Sequence, residues 1–406
     1  MANPFLSGLI ASRLQFRKGK SFSSTVIRIS GISIALGIAI LVVSVVIQAG
    51  FRKEINRRIF SFGGHLSLRQ FSSGTLYEEL PLQENAGFIR RLKELPEVDA
   101  IQSFSYKPAL LSNESEVAGV VLKGIGKDFN FNEFAPNFLR LPPGPMPAEN
   151  KIWLSRKMAG KLGLKEGSPV VAFFLQEPPR YRKLKVECLY QTGLEDVDDN
   201  IAFVSINLIR EINGWPGGSA GGFEVFLRDF SRLPQAQAEL EKYLPYNLGA
   251  EPVTQTHSQL FEWLDVIGRN VLVMFVLVAM VAGFNMAATL LIMVMERRQM
   301  IGILKALGAE DGLIRAVFIR NGLRILVWGL TAGNLLGLGL AAIQWKFQLI
   351  PLNPENYYLS SVPVGWDWPS ILGINAGVLL IAWLVILLPV KLVNRIRPSE
   401  AVRAQA

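Results

Sequence analysis

Glu296-Arg297-Arg298-Gln299-Met300-Ile301-Gly302-Ile303-Leu304-Lys305-Ala306-Leu307-Gly308-Ala309 is a short basic stretch between two long apolar runs, 271–295 before it and another from about 325 after it. Apolar runs of about 20 residues match the thickness of a bilayer core. The stretch therefore reads as a loop joining two membrane spans. Its own pattern is helical: Ile301, Leu304 and Leu307 are expected on one face, with Arg298 and Lys305 towards the other. Gly308 supplies a helix stop. Two readings fit these residues. One is a short helix on the cytoplasmic surface, where an external motor pushes on the spans; the other is an ordinary charged loop obeying the positive-inside rule.

Composition points the same way. Half of the 406 residues are hydrophobic, and the net charge of +9 is unevenly spread. Residues 51–265 carry 25 Lys/Arg against 27 Asp/Glu, whereas the remainder carries 17 against 6. Basic excess beside apolar runs suits an anionic membrane face, and no nucleic-acid motif accompanies it. The single cysteine, Cys188, excludes an intramolecular disulfide and sits in an alternating segment as a core thiol would. His65 and His257 lack the spacing of a metal motif, so no metal site is expected.

Working outward, residues 1–23 form a basic N-terminal segment and 24–50 a first span, too long for a typical signal-peptide core. Gly31, Ala35 and Ala39 recur every four residues, a smooth face for helix packing. Gly19-Lys20-Ser21 is no phosphate-binding loop, because Leu14 stands where the earlier glycine is needed. A second span covers 266–295, with Asn285 inside it expected to bond to another helix and five methionines that read either as an adaptable surface for apolar ligands or as plain lipid exposure. After the loop region 296–317, a third span at 318–345 carries the ridge Gly329, Gly333, Gly337. A loop at 346–369 with Trp366 and Trp368, a fourth span at 370–392 and a tail at 393–406 complete the chain. Lys and Arg crowd 297–324 and 391–403, while 346–369 holds only Lys346. That asymmetry puts both termini in the cytoplasm and the segment 51–265 on the other side.

The large segment 51–265 begins and ends in stalk helices and reads as α+β. Strands are expected at 117–122, 169–175, 183–190, 201–204 and 223–227, and short helices at 155–162, stopped by Gly163, and 207–213. Pro178, Pro179, Arg180, Tyr181 and Arg182 lie at the tip between two strands, either an ordinary hairpin end or a grip for a partner protein. Glu195, Asp196, Asp198 and Asp199 crowd the next loop without the spacing of a calcium loop, so a solvated turn is expected. No Gly-x-Ser-x-Gly elbow and no nucleophile–base constellation is present, so no enzyme activity is expected of this chain.

The topology resembles the FtsX/MacB-type permeases of ABC transporters. Glu296-Arg297-Arg298, Ile301-Gly302, Leu304-Lys305 and Leu307-Gly308 are similar to their coupling helix, and Pro398-Ser399-Glu400-Ala401-Val402-Arg403 to their tail motif. Tyr357-Tyr358-Leu359-Ser360 with Val362-Pro363-Val364 resembles the outer loop of LolC/LolE-type lipoprotein-releasing permeases. Gly50-Phe51, Gly64-His65 and Trp153-Leu154-Ser155 also fit that subfamily, while Val393-Asn394 departs from the small residues expected before the tail motif. The resemblance implies an α-helical inner-membrane protein with four transmembrane helices and a MacB-like α+β periplasmic domain between the first and second. It implies no cofactor in this chain: ATP and Mg would be bound by a separate LolD-like ATPase docked at 296–308. The other implied partners are a second permease copy or paralogue, a LolA-like periplasmic carrier, lipoprotein cargo and membrane lipids. Val42, Val45, Val46, Met274 and Phe275 are placed by position where lipid would enter, and Pro178–Arg182 where the carrier would dock. An FtsX-like regulator of cell-wall hydrolases and a MacB-like exporter are the alternatives, the latter disfavoured because MacB carries its ATPase in the same chain.

Overall fold

The computed structural model of the protein describes residues 22–71, 79–84, 86–113, 116–353, 357 and 359–390. The N-terminal segment before residue 22, Tyr358 and the tail motif at 398–403 lie outside them. Contacts divide the chain into two units: Met1–Lys53 with Trp263–Pro351 and Ser361–Ala406, and Glu54–Glu262 with Leu352–Ser360.

Single turns aside, the described residues begin with the unbroken helix α1 (Phe22–Gly63). Next come β1 (Leu66–Gln70), β2 (Leu82–Gln83), α2 (Gly87–Lys93), β3 (Val98–Ser112), β4 (Val117–Ile125), β5 (Lys151–Ser155) and α3 (Arg156–Lys161). Then follow β6 (Pro169–Phe174), β7 (Arg180–Tyr190), α4 (Glu195–Asn200), β8 (Ile201–Ser205) and α5 (Ile206–Asn213). The sheet elements end with β9 (Ser219–Ala220), β10 (Gly222–Leu227), α6 (Leu233–Glu241) and β11 (Leu248–Pro252). Four helices complete the described chain: α7 (Ser258–Glu296), α8 (Arg298–Ala306), α9 (Asp311–Phe347) and α10 (Trp368–Val390).

In the helical unit, α1, α7, α9 and α10 are each long and apolar enough to cross a membrane. The glycine ridge of α9 lies against the small-residue face of α1. A Cβ on Gly333 would stand 2.6 Å from both the Ala35 carbonyl oxygen and Ile38 Cβ, and one on Gly337 2.9 Å from Val42 Cβ. Only glycine lets the backbones come this close. Hydrogen bonds add to the packing: Asn285 Nδ2 donates to Ser33 Oγ at 2.8 Å, and Asn334 and Asn375 exchange bonds of 2.7 and 3.0 Å. Asn285 is thus a helix-packing contact, as its sequence position suggests. Met286 and Met293 are buried, whereas Met280 and Met295 face outward.

In the sheet unit, nine strands run in the order β11-β1-β10-β3-β4-β8-β5-β7-β6. β3 decides the shape. One edge pairs with β4 along 104–112, while the other pairs with β10 along 98–104 and then with β6 along 110–112. The strands from β3 round to β6 therefore close on themselves, and β10, β1 and β11 extend from the near half of β3. Closure removes exposed strand edges at that end. Its interior is apolar, with Leu111, Leu122, Ile152, Leu154 and Val204 fully buried. All five expected strands and both expected helices are present; β1, β2, β3, β5, β9 and β11 are additional to the expectation. Ser155 caps α3 by accepting from Met158 N at 2.9 Å, and Gly163 (φ +61°) supplies the left-handed stop. Cys188 is buried, and burial pushes its thiol well up.

Candidate functional site

The elbow between α7 and α9 is helical almost throughout. α7 ends at Glu296, Arg297 alone leaves the helix, and α8 starts at Arg298. At its far end, Gly308 takes φ +88°, Gly308 N donates to Lys305 O at 3.0 Å and Ala309 N to Leu304 O at 2.9 Å. This paired bonding satisfies the last carbonyls and turns the chain into α9. Ile301 and Gly302 are buried, and Leu304 packs against the helical core.

The expected faces need correction. Lys305 stands four residues after Ile301 and so shares its face; its ammonium pairs with Asp311 at 2.9 Å and only 11% of its side chain is exposed. Leu307 is the opposite case: it stands beyond the helix, beside the left-handed turn, and is 79% exposed. The outward surface is therefore made by Arg298, Gln299, Ile303, Ala306 and Leu307. Gln299, Ile303 and Ala306 were missed, although their spacing of four and three residues was legible.

At the β6–β7 tip, Pro178 and Pro179 are exposed, but the arginines are turned inward. Arg180 Nη1 donates to the carbonyls of Glu211 and Ile212 at 2.9 Å each, capping the C-terminal end of α5, and Arg182 pairs with Glu211 at 3.4 Å. What faces outward is aromatic and apolar: Tyr181 is 61% and Leu175 81% exposed, with the Phe173 ring 6.3 Å from that of Tyr181. Of the three side chains at the tip, Tyr181 alone faces outward, on a frame fixed by the two arginines.

The five residues placed where lipid would enter separate in space. Val42 packs on Gly337, Val46 is fully buried with its carbonyl accepting from Gly365 N at 3.0 Å, and Met274 is half-buried against the helical core. Val45 and Phe275 do line an open cavity of about 420 Å³ with Ile374, and Gln48, Arg52 and Asp367 contribute polar groups to the same lining. An exposed surface of all five side chains is not what the fold makes, because helix α9 occupies one flank of α1.

Other candidates resolve into structure. Asp198, expected in a solvated loop, is buried in α4 and accepts from Thr192 N, Thr192 Oγ1 and Gly193 N at 3.0, 2.8 and 2.9 Å. Burial still holds its carboxyl above the usual range. Lys157 bridges Glu195 and Asp199 at 2.9 and 2.6 Å. His65 Nδ1 accepts from Leu227 N at 2.7 Å inside a cage of Phe60, Phe226 and Phe230, and burial lowers its pKa to about 4. Among the described residues, no group of three or more His, Cys, Asp or Glu side chains is placed to hold a metal ion.

The FtsX-like permease C-terminal family matches residues 272–398, which contain the elbow. LolC of Xylella fastidiosa, a lipoprotein-releasing system transmembrane protein, is 22% identical, with 99% of this chain and all of the relative covered. LolE of Haemophilus influenzae is 24% identical over 98% of this chain and 99% of its own. LolC of Neisseria meningitidis is 24% identical over 96% and 97% respectively. Among solved structures, the periplasmic region of MacB from Actinobacillus actinomycetemcomitans overlaps 49% of this chain and 92% of its own at 11% identity, with a TM-score of 0.34, too low to bear on the fold. Similarity to LolC and LolE proteins along nearly the whole chain, the match to the FtsX-like permease C-terminal family over its last third and four helices of membrane length together indicate a multi-pass membrane protein similar to these permeases.

Proposed function

We propose that this chain is an FtsX-like ABC transporter permease of the LolC/LolE type, which extracts lipoproteins from the bacterial inner membrane, driven by ATP hydrolysis on a separate LolD-like subunit, and passes them to a LolA-like periplasmic carrier. The observation that carries the reading is the near-full-length similarity to LolC and LolE proteins. In this reading the sheet unit is periplasmic, both termini are cytoplasmic, and the permease pairs with a second copy or a paralogue. The ATPase docks on the outward face of α8, where Ile303 and Leu307 offer apolar anchors beside Arg298. Tyr181 with Phe173 and Leu175 receives the carrier. Acyl chains enter beside Val45 and Phe275, in the cavity to whose lining Arg52 also contributes. Leaving lipid costs about 0.8 kcal/mol per CH₂, which is why release of several chains requires a motor.

Depletion of the protein in cells, followed by separation of inner and outer membranes and assay of acylated lipoproteins, tests the proposal. Lipoproteins held back in the inner membrane are the expected result. Normal sorting with altered cell-wall lysis would instead select an FtsX-like regulator.

A further inference from the structure

The last turn of α1 meets a fully buried charge. Lys123 on β4 is 0% exposed, and its Nζ donates to the Phe62 carbonyl and, at 2.7 Å, to Glu224 Oε1 on β10. The Phe62 ring lies 4.2 Å from the same ammonium. Glu224 Oε2 accepts from Gln102 Nε2 on β3 at 2.6 Å, and Gln102 Oε1 accepts from Asn130 N at 2.8 Å. One line of hydrogen bonds thus runs from a helix-end carbonyl across β4, β3 and β10. Phe62 O is among the last four carbonyls of α1, which no bond within the helix satisfies. His65 fastens the chain just beyond: its N donates to Val225 O at 2.9 Å, its ring accepts from Leu227 N, and its carbonyl accepts from Val253 N at 3.0 Å.

Stability alone is a poor reason to keep such a pair, because an apolar replacement of both partners is often neutral or stabilising. Direction is the better reason. Apolar contact is non-directional and lets a helix turn or slide, whereas hydrogen bonds weaken steeply once misaligned. We propose that Lys123 and Glu224 are positioning residues for transport: they lock the last turn of α1 to the sheet, so that displacement of α1 during the ATP cycle moves β4 and β10 instead of being lost as slip. The inference rests on the permease reading and adds the residues through which force enters the sheet.

The test uses the full chain with its co-purifying ATPase, reconstituted in proteoliposomes with a triacylated lipoprotein. Lys123→Met and Glu224→Met are made singly and together, and Tm, ATPase rate and lipoprotein released per ATP are measured. Each single variant lowers Tm by stranding a buried charge. The double variant regains a wild-type-like Tm and ATPase rate, yet its release per ATP falls by about fivefold or more. Recovery of release together with Tm in the double variant would overturn the proposal, leaving the pair a structural contact. Amide exchange of β4 and β10 on ATP addition reads the same transfer without reference to cargo. It is expected to change in the wild type and not in the double variant; an equal change in both, or none in the wild type, also overturns it. A wild type that responds to ATP in exchange but releases no lipoprotein counts against the lipoprotein reading while supporting the lock.

Discussion

α1 is held in two different ways along its length. Where it packs on α9, what matters is absence: Gly329, Gly333 and Gly337 remove side chains so that Ile34, Ala35 and Ile38 fit against bare backbone. At its last turn, what matters is a buried charge, with Lys123 reaching the Phe62 carbonyl. Solvent explains the difference. Lipid tails are as apolar as leucine, so helices in a bilayer associate by close contact and hydrogen bonds rather than by apolar burial. The sheet unit has an apolar core to hold it together, and there a buried ion pair contributes alignment more than net stability.

Glu224→Ala, which leaves Lys123 buried without its counter-ion, should cost about 3–5 kcal/mol in thermal or denaturant unfolding of the detergent-solubilised protein. A loss below about 1 kcal/mol would mean that the last turn of α1 is held by packing after all.

The next effect comes from pH. Burial lowers the pKa of His65 from its ordinary 6.5 to about 4. Its stabilising contribution is therefore complete above 6.5 and is lost as pH falls through the window down to 4, because the unfolded chain binds the proton first. The span corresponds to about 3 kcal/mol. Glu79 is pushed up to about 8 by burial and works in the opposite sense, losing stability as pH rises from 4.5. His65→Asn separates the two, since Oδ1 can accept from Leu227 N without titrating. The wild-type-minus-variant difference in unfolding free energy should shrink between pH 6.5 and 4, and a flat difference would remove His65 from the account.

On the α9 side, Gly333→Ala should cost about 1–3 kcal/mol by forcing the backbones apart, with Gly339→Ala, whose added Cβ meets nothing within 4 Å, as the innocuous control. Equal effects at both sites would refute the close-contact account. The smallest effect belongs to Asn334→Leu, which breaks the amide pair with Asn375. About 0.6 kcal/mol is expected, because amides in a membrane readily find other partners. A much larger loss would make hydrogen bonding, rather than small-residue contact, the main tie in the helical unit.

Much of this architecture was legible beforehand. Apolar length marks the four long helices, β-branched content or alternation marks β4, β6, β7, β8 and β10, and Ser155 and Gly163 mark both ends of α3. β3 was hidden by Asp99, Lys107 and Pro108, which break up an alternating pattern while the strand is held by neighbours on both edges. At α8 the charge of Lys305 points it to the outward face, whereas its spacing of four from Ile301 puts it on the same side as that residue.

By itself, the sequence determined what depends on neighbouring residues: span length, strand alternation, helix caps, the Gly308 stop and the spacing of the glycine ridge. Tertiary structure alone decided which charged groups remain available to partners. Arg180 is used to cap α5, Lys305 is paired to Asp311, and Lys123 is buried against Glu224. The physical reason is that burying a charge requires a counter-ion or carbonyl to meet it. Where folding brings such a partner from elsewhere in the chain, a residue that reads as solvated becomes part of the frame.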